Sequence, residues 1–130
     1  MSDRETIIRE WLDKAQGDYI SAKILIESDD PAAYDSVCFL SQQCIEKTLK
    51  AALIFKGMRP AKTHDLVSLG QMYSECFPAS AIDSEQLDIL TVYAVEVRYT
   101  GYRATRQDAH DSYEVCLTLR DRLLQSFQKH

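Results

Sequence analysis

The chain has 130 residues, of which 45% are hydrophobic and 27% charged, with only three prolines and four glycines. This length predicts one domain over residues 1–130 with a sizeable core, and the scarcity of turn-forming residues argues against a turn-rich β fold. Fifteen Lys and Arg residues against twenty Asp and Glu residues give a net charge of −5, which excludes unspecific attraction of polyanions, so that any contact with nucleic acid needs a local basic patch.

Hydrophobic residues at three-to-four spacing predict helices along most of the chain. The first helix is expected from Arg4 to Ser28. Asp30 then caps a second helix that starts at Pro31 and ends at Gly57, a glycine suited to a helix C-terminus. This second helix is apolar around most of its circumference, so we expect it to be surrounded by the others and to be the most buried.

Three further helices follow in the second half of the chain. A short one is capped by Thr63, and a fourth begins at Asp83 or Ser84 and continues through Val97. The last begins at a capping box formed by Thr105 and Asp108, after a loop over residues 99–104. The predicted fold is all-α: an antiparallel up-and-down four-helix bundle with one additional short helix.

The cysteines and the N-terminal residues indicate the cellular compartment of the protein. The four cysteines lack the close CxxC spacing of a zinc or redox site, and as small buried thiols they fit a reducing environment. The start of the chain lacks a basic region followed by an apolar run, and no segment is suited to span a bilayer. We therefore expect a cytoplasmic protein, and the scattered histidines predict neither a metal nor a cofactor.

One group of residues concentrates positive charge in this acidic chain. It comprises Arg98, Tyr99, Tyr102, Arg103, Arg106 and His110. Arg106 and His110 are four residues apart and share one face of the last helix, and Arg103 precedes a helix N-terminus, which favours anions. Guanidinium groups suit phosphate and tyrosine rings can stack on bases. The alternative is structural: Arg98 is paired to a buried acid, and the tyrosines pack between helices.

A second group follows one face of the predicted second helix. Gln43, Glu46, Lys47 and Lys50 recur at helical spacing, and Glu46 with Lys50 forms a favourable i, i+4 ion pair. A face exposed to solvent therefore explains these four residues better than ligand binding does. In the ligand-binding alternative, Lys47 and Lys50 would border the site formed by the first group. A third group, His64 with Asp65, is typical of a capping or surface position and only weakly suggests acid–base chemistry.

Taken together, four stretches of this chain resemble the HEPN family of small helical-bundle proteins. The resemblance extends from about Glu10 to Phe127 and depends on the following residues: Trp11-Leu12 with Ala15, Asp18 and Ala22; Ser41-Gln42-Gln43-Cys44-Ile45-Glu46-Lys47 with Lys50-Ala51; Lys62-Thr63-His64-Asp65-Leu66; and Arg98-Tyr99. It implies an all-α bundle that usually dimerises. It also implies nucleotide or RNA binding, and pairing with a minimal nucleotidyltransferase in toxin–antitoxin-like systems.

Three functions stay open at this point. In the preferred one, Arg98, Tyr99, Arg106, Lys47 and Lys50 line a nucleotide or RNA site in a homodimer. The second follows from the resemblance, because some family members are metal-independent endoribonucleases with an Arg and a His separated by four to six residues. Here Arg103 and His110 are separated by six and would be catalytic. The third is a dimeric protein-interaction module without a nucleotide ligand.

Overall fold

The computed structural model describes residues 2–60, 62–96 and 101–128, except for the side chains of residues 94–96 and 128. Its helices are α1 (Asp3–Ser28), α2 (Tyr34–Phe55), α3 (Leu66–Cys76), α4 (Ser84–Glu96) and α5 (Arg106–Gln128), with 3-10 turns at Pro31–Ala33 and Pro78–Ser80. The described ranges contain no strand. The prediction of an all-α bundle with four main helices and a short one is confirmed.

The direction of each helix follows from its contacts with α2. Lys47 contacts Asp18 and Lys50 lies over Trp11, so α1 runs antiparallel to α2. The start of α5 contacts Asp35 through the Ala104 amide, and its end brings Phe127 within 5.5 Å of the Phe55 ring, so α5 runs parallel to α2.

Helix α4 returns in the opposite direction. Its first part packs at Gly70 of α3, where a Cβ atom would collide with the Leu87 side chain, and its later residue Tyr93 packs beside Val37 near the start of α2. The chain order α1, α2, α4, α5 is therefore the expected up-and-down order. The start of α2, the end of α1 and the start of α5 consequently meet at one end of the bundle.

Helix α2 forms the centre of the molecule, as predicted. Fourteen of its 22 residues are buried, more than in any other helix over the described residues. Five of them, Cys44, Ile45, Leu49, Ala52 and Leu53, belong to the main core cluster. A smaller cluster with Val37 and Cys38 lies at the start of α2 and contacts Ala104 and Ala109 of the last segment. The apolar circumference of α2 is thus covered on several sides, as its sequence indicates.

Two predicted helix ends were wrong by a few residues. Asp30 and Pro31 do act as cap and first residue, but of the 3-10 turn, and α2 begins only at Tyr34. The short helix α3 begins at Leu66 because Asp65, rather than Thr63, accepts hydrogen bonds from the free amides of Val67 and Ser68. The expected end of the fourth helix at Val97 lies outside the described residues.

The cysteines behave as small core residues. All four are free thiols; Cys38, Cys44 and Cys116 are buried and Cys76 is partly buried. Burial raises the pKa of the Cys38 thiol to about 11 because an ionised thiolate loses solvation in an apolar environment. Within the described ranges, no helix has the length and apolarity needed to cross a membrane.

Candidate ligand-binding site

The segment that leads into α5 is fixed by a reciprocal cap. The backbone amide of Asp108 donates to Thr105 Oγ1 at 3.0 Å, and the amide of Thr105 donates back to Asp108 Oδ2 at 2.9 Å. The predicted capping box is confirmed. Tyr102 also donates its hydroxyl to Asp108 Oδ2 at 3.0 Å, and burial followed by this hydrogen bond raises the Tyr102 pKa to about 12. The backbone before α5 is therefore held in one conformation.

Two aspartates from the opposite end of the sequence anchor this segment to the bundle. Asp35 Oδ1 accepts a 2.6 Å hydrogen bond from the backbone amide of Ala104. Asp29 Oδ1 accepts from Arg106 Nε and from the Tyr34 hydroxyl, both at 2.9 Å. The hydrogen bond from Arg106, and then that from Tyr34, lowers the pKa of Asp29. Arg106 is therefore partly neutralised, although its side chain is still 64% exposed.

Arg103 and His110 differ in their accessibility. Arg103 is exposed and forms no ion pair with any residue that the structure describes. His110 is half-buried, and its Nε2 atom is buried without a hydrogen-bond partner among the described residues. An unpaired buried nitrogen is unusual and marks a position where a ligand or a rearrangement could complete the hydrogen bond. Arg98 and Tyr99 lie outside the described residues.

Lys47 and Lys50 are not part of this end of the bundle. Lys47 Nζ lies 2.6 Å from Asp18 Oδ2, and Lys50 Nζ lies 3.3 Å from Glu46 Oε2 and 5.4 Å from the centroid of the Trp11 ring. Lys47 is also about 18 Å further along α2 than Asp35, at about 1.5 Å per residue. The structure thus brings Arg103, Arg106 and His110 to one end of the bundle and holds both lysines against α1 and α2.

The polar ribbon of α2 is a buried network. Glu46 and Lys50 are only 3% and 8% exposed, so the expectation of a solvated face was wrong for these two residues, although their ion pair was predicted correctly. Gln42 Nε2 donates to Glu46 Oε1 at 3.2 Å, and Gln43 Nε2 donates to Gln42 Oε1 at 2.8 Å. A helix that is covered on nearly all sides leaves little surface for a solvated stripe, so the polar side chains on this face of α2 bond to one another instead.

The same network holds His64. The Nδ1 atom of His64 lies 2.9 Å from Glu46 Oε1 and 3.0 Å from Glu46 Oε2, while the His64 side chain is 76% exposed. Sequence reasoning treated His64 as a capping or surface residue because Glu46 is eighteen positions away and no local spacing signals the contact. Among the described residues, no group of histidine, cysteine and acidic side chains is arranged to hold a metal ion.

Comparison with known proteins identifies the bundle. A family model described as the HEPN domain matches residues 8–125. The chain belongs to the HEPN family. The fold of this HEPN chain is similar to the crystal structure of ST0689, an archaeal HEPN homologue, with a TM-score of 0.65 at 19% sequence identity, covering 92% of this chain and 97% of that one. No curated protein matches the chain.

The family membership confirms the resemblance, and the structure shows that two of the segments on which it depends are in contact. The stretch around Glu46 and the stretch around His64, which are distant in the sequence of this HEPN domain, meet in the structure through a direct hydrogen bond. The two segments therefore form one hydrogen-bonded group. This group lies further along α2 than Asp35, which contacts the segment before α5.

Proposed function

We propose that this HEPN domain is a nucleotide- or RNA-binding module. It acts as a homodimer with a partner protein such as a minimal nucleotidyltransferase, in a toxin–antitoxin-like system. The observation that carries the binding proposal is Arg103, an exposed guanidinium with no ion-pair partner among the described residues, placed at the N-terminal end of α5 in an acidic chain. Membership of the HEPN family supports the same function, because the family is linked to nucleotide and RNA binding.

The local hydrogen bonds explain how an anion could be held there despite the neighbouring acids. Asp35 and Asp108 each accept a hydrogen bond from a backbone amide, and Asp29 accepts one from Arg106, so each of these carboxylates already has a donor. Arg103 and the exposed part of Arg106 face solvent. Two guanidinium groups beside a helix N-terminus provide the directional donors that a phosphate requires.

Removing both guanidinium groups is expected to weaken binding of nucleic acid. An Arg103→Ala, Arg106→Ala double variant should bind a fluorescent single-stranded RNA at least about tenfold more weakly, because each charge-assisted hydrogen bond contributes roughly 1.5–3 kcal/mol. The dependence of log K on log salt concentration should also become shallower by about 0.7 for each phosphate that the variant no longer neutralises. Fluorescence anisotropy at several salt concentrations measures both quantities.

A distant arginine provides the matched control. Arg122 is exposed on the same helix, beyond its midpoint, so Arg122→Ala removes a positive charge far from the site and should leave the affinity nearly unchanged. If the double variant and the wild type bind RNA and mononucleotides equally, the site at the start of α5 is excluded. If Arg122→Ala has the same effect as the double variant, the binding is unspecific.

The metal-independent endoribonuclease is the second candidate, and the unpaired Nε2 atom of His110 favours it. In this mechanism His110 transfers a proton and Arg103 stabilises the negative charge that develops on the phosphorane. Cleavage should then persist in excess chelator and disappear in His110→Ala. If the purified protein, freed of any partner, cleaves no RNA, only the binding module remains.

The proposed homodimer finds support in an apolar patch on α1. Ile20 and Ile24 lie one helical turn apart and are 41% and 61% exposed, and a Cβ atom added at Gly17, one turn earlier, would meet nothing within 4 Å. Exposed apolar residues on consecutive turns of one helix are typical of a surface that a partner covers.

An acidic substitution on this patch is expected to prevent dimerisation. Light scattering should give a dimer for the wild type and a mass near 14.9 kDa for Ile24→Glu, because a charge in an apolar interface loses solvation without a partner. Val92→Glu, at a 53% exposed residue of α4, is the control and should remain dimeric. A wild-type protein that is monomeric at high concentration would contradict the homodimer itself. A dimer that survives Ile24→Glu would place its interface elsewhere.

A further inference from the structure

The hydrogen bond between Glu46 and His64 sets which nitrogen of an exposed imidazole faces the protein and which faces outward. Nδ1 lies within hydrogen-bond distance of both carboxylate oxygens, and a carboxylate only accepts, so Nδ1 carries the hydrogen. In the neutral form of the ring, the nitrogen without a hydrogen is then Nε2, which can act as an acceptor. Because the side chain is 76% exposed and its inner nitrogen is occupied, this acceptor is available to a ligand.

The carboxylate behind the ring is itself held in place. Glu46 is 3% exposed and receives hydrogen bonds from Gln42 Nε2 at 3.2 Å and from Lys50 Nζ at 3.3 Å. These two donors, four residues before and four residues after Glu46 on α2, hold the carboxylate from both sides. The orientation of His64 is therefore set by a buried group and does not depend on its own loop alone.

The stretch of chain that precedes this imidazole is basic, although Asp65 follows it directly. The segment from residue 56 to residue 64 contains Lys56, Arg59 and Lys62 but no acidic residue. All three side chains are exposed, and none forms a salt bridge within the described part of the chain. In a chain with a net charge of −5, such a segment favours a ligand that carries phosphate.

The imidazole and the arginine site lie along the same side of α2. Asp35, which anchors the start of the last segment, and Glu46, which holds His64, are separated by eleven positions, about three helical turns, and so share one face. Their separation along the helix is about 16 Å. A ligand that contacts both would therefore be a strand of several nucleotides rather than a mononucleotide.

We propose that His64 Nε2 accepts a hydrogen bond from the 2′-hydroxyl of a ribonucleotide and lets this surface distinguish RNA from DNA. The 2′-hydroxyl is the donor that deoxyribose lacks, and the neighbouring cations of residues 56–62 hold the phosphates on either side. The inference rests on the proposed function, since its ligand is the nucleic acid bound at Arg103.

Two substitutions separate ligand contact from structural support. His64→Asn retains a side-chain donor near the position of Nδ1 and can still bond Glu46, but it removes the outer acceptor. His64→Gln places an acceptor near the position of Nε2 and gives up the bond to Glu46. Both change a mostly exposed side chain, so the bundle should fold in each case, which circular dichroism verifies.

The measurement is the ratio of affinities for single-stranded RNA and DNA of matched sequence. The wild type should prefer RNA by roughly threefold to tenfold, the gain expected from one net hydrogen bond. His64→Asn should bind both strands with the affinity that the wild type has for DNA, whereas His64→Gln should retain part of the preference. Long-range ¹H–¹⁵N spectra of the wild type should show the hydrogen of His64 on Nδ1.

Each other result has a definite meaning. If the wild type binds RNA and DNA with equal affinity, the role of His64 is overturned. If the Arg103→Ala, Arg106→Ala variant then binds neither strand, the proposed function stands. An RNA preference that survives in His64→Asn, or a hydrogen on Nε2 in the spectra, also overturns the role of His64. Absence of binding to either strand overturns the inference together with the proposed function.

Discussion

The substitution Ile45→Asp is expected to unfold this HEPN domain. Ile45 is fully buried in the main core cluster on the central helix α2, where an aspartate would have neither water nor a cation to stabilise its charge. Such a change costs several kcal/mol, whereas the total stability of a domain is about 5–15 kcal/mol. Thermal unfolding followed by circular dichroism should show a large fall in Tm or no cooperative transition.

The control introduces the same charge on the surface. Val92→Asp replaces a valine that is 53% exposed on α4 and should change the free energy of unfolding little. A protein carrying Ile45→Asp that melts like the wild type would contradict the central position of α2.

The second large effect is expected from Glu46→Leu. This change leaves the Lys50 ammonium, which is 8% exposed, without its carboxylate and removes the acceptor for Gln42 and His64. Removing one member of a buried ion pair destabilises proteins by about 3–5 kcal/mol. Urea denaturation should show a lower midpoint with an unchanged slope.

The double variant Glu46→Leu, Lys50→Leu tests the cause of that destabilisation. Replacing both members of a buried pair by apolar residues is often neutral, so the double variant should recover most of the stability that the single variant lacks. If the double variant is as unstable as the single one, the hydrogen bonds to Gln42 and His64, rather than the unpaired lysine, account for the effect.

The sequence predicted those features that depend on local spacing. The five helices follow from apolar periodicity, and the capping box at Thr105 and Asp108 is a contact between residues three apart. The error in the cap of α3, predicted at Thr63 and found at Asp65, also has a local cause. The Thr63 hydroxyl accepts from the amide of Asp65, which precedes the helix, whereas Asp65 accepts from the amides of Val67 and Ser68. Only the bonds to Asp65 satisfy free amides of the helix.

The features that the sequence did not predict depend on contacts between distant residues. The ion pair of Arg106 with Asp29 joins positions 77 apart, and the bond between His64 and Glu46 joins positions 18 apart. Neither has a periodic signal, because packing of the whole bundle decides which polar side chains meet. The same reason made Glu46 and Lys50 look solvated, although the apolar circumference of α2 already indicated that neighbouring segments would cover that helix.

The anchoring of Ala104 to Asp35, 69 positions earlier, determines when during synthesis the arginine site can form. A ribosome releases the chain from its N-terminus, so α1 and α2 emerge and pair while the last segment has not yet been made. Until this last segment emerges, Asp35 lacks the Ala104 amide as a donor and Asp29 lacks the Arg106 guanidinium. The small core cluster at the start of α2 also lacks Ala104 and Ala109. The arginine site is consequently completed last, so a nascent chain acquires it only after the rest of the bundle has been synthesised.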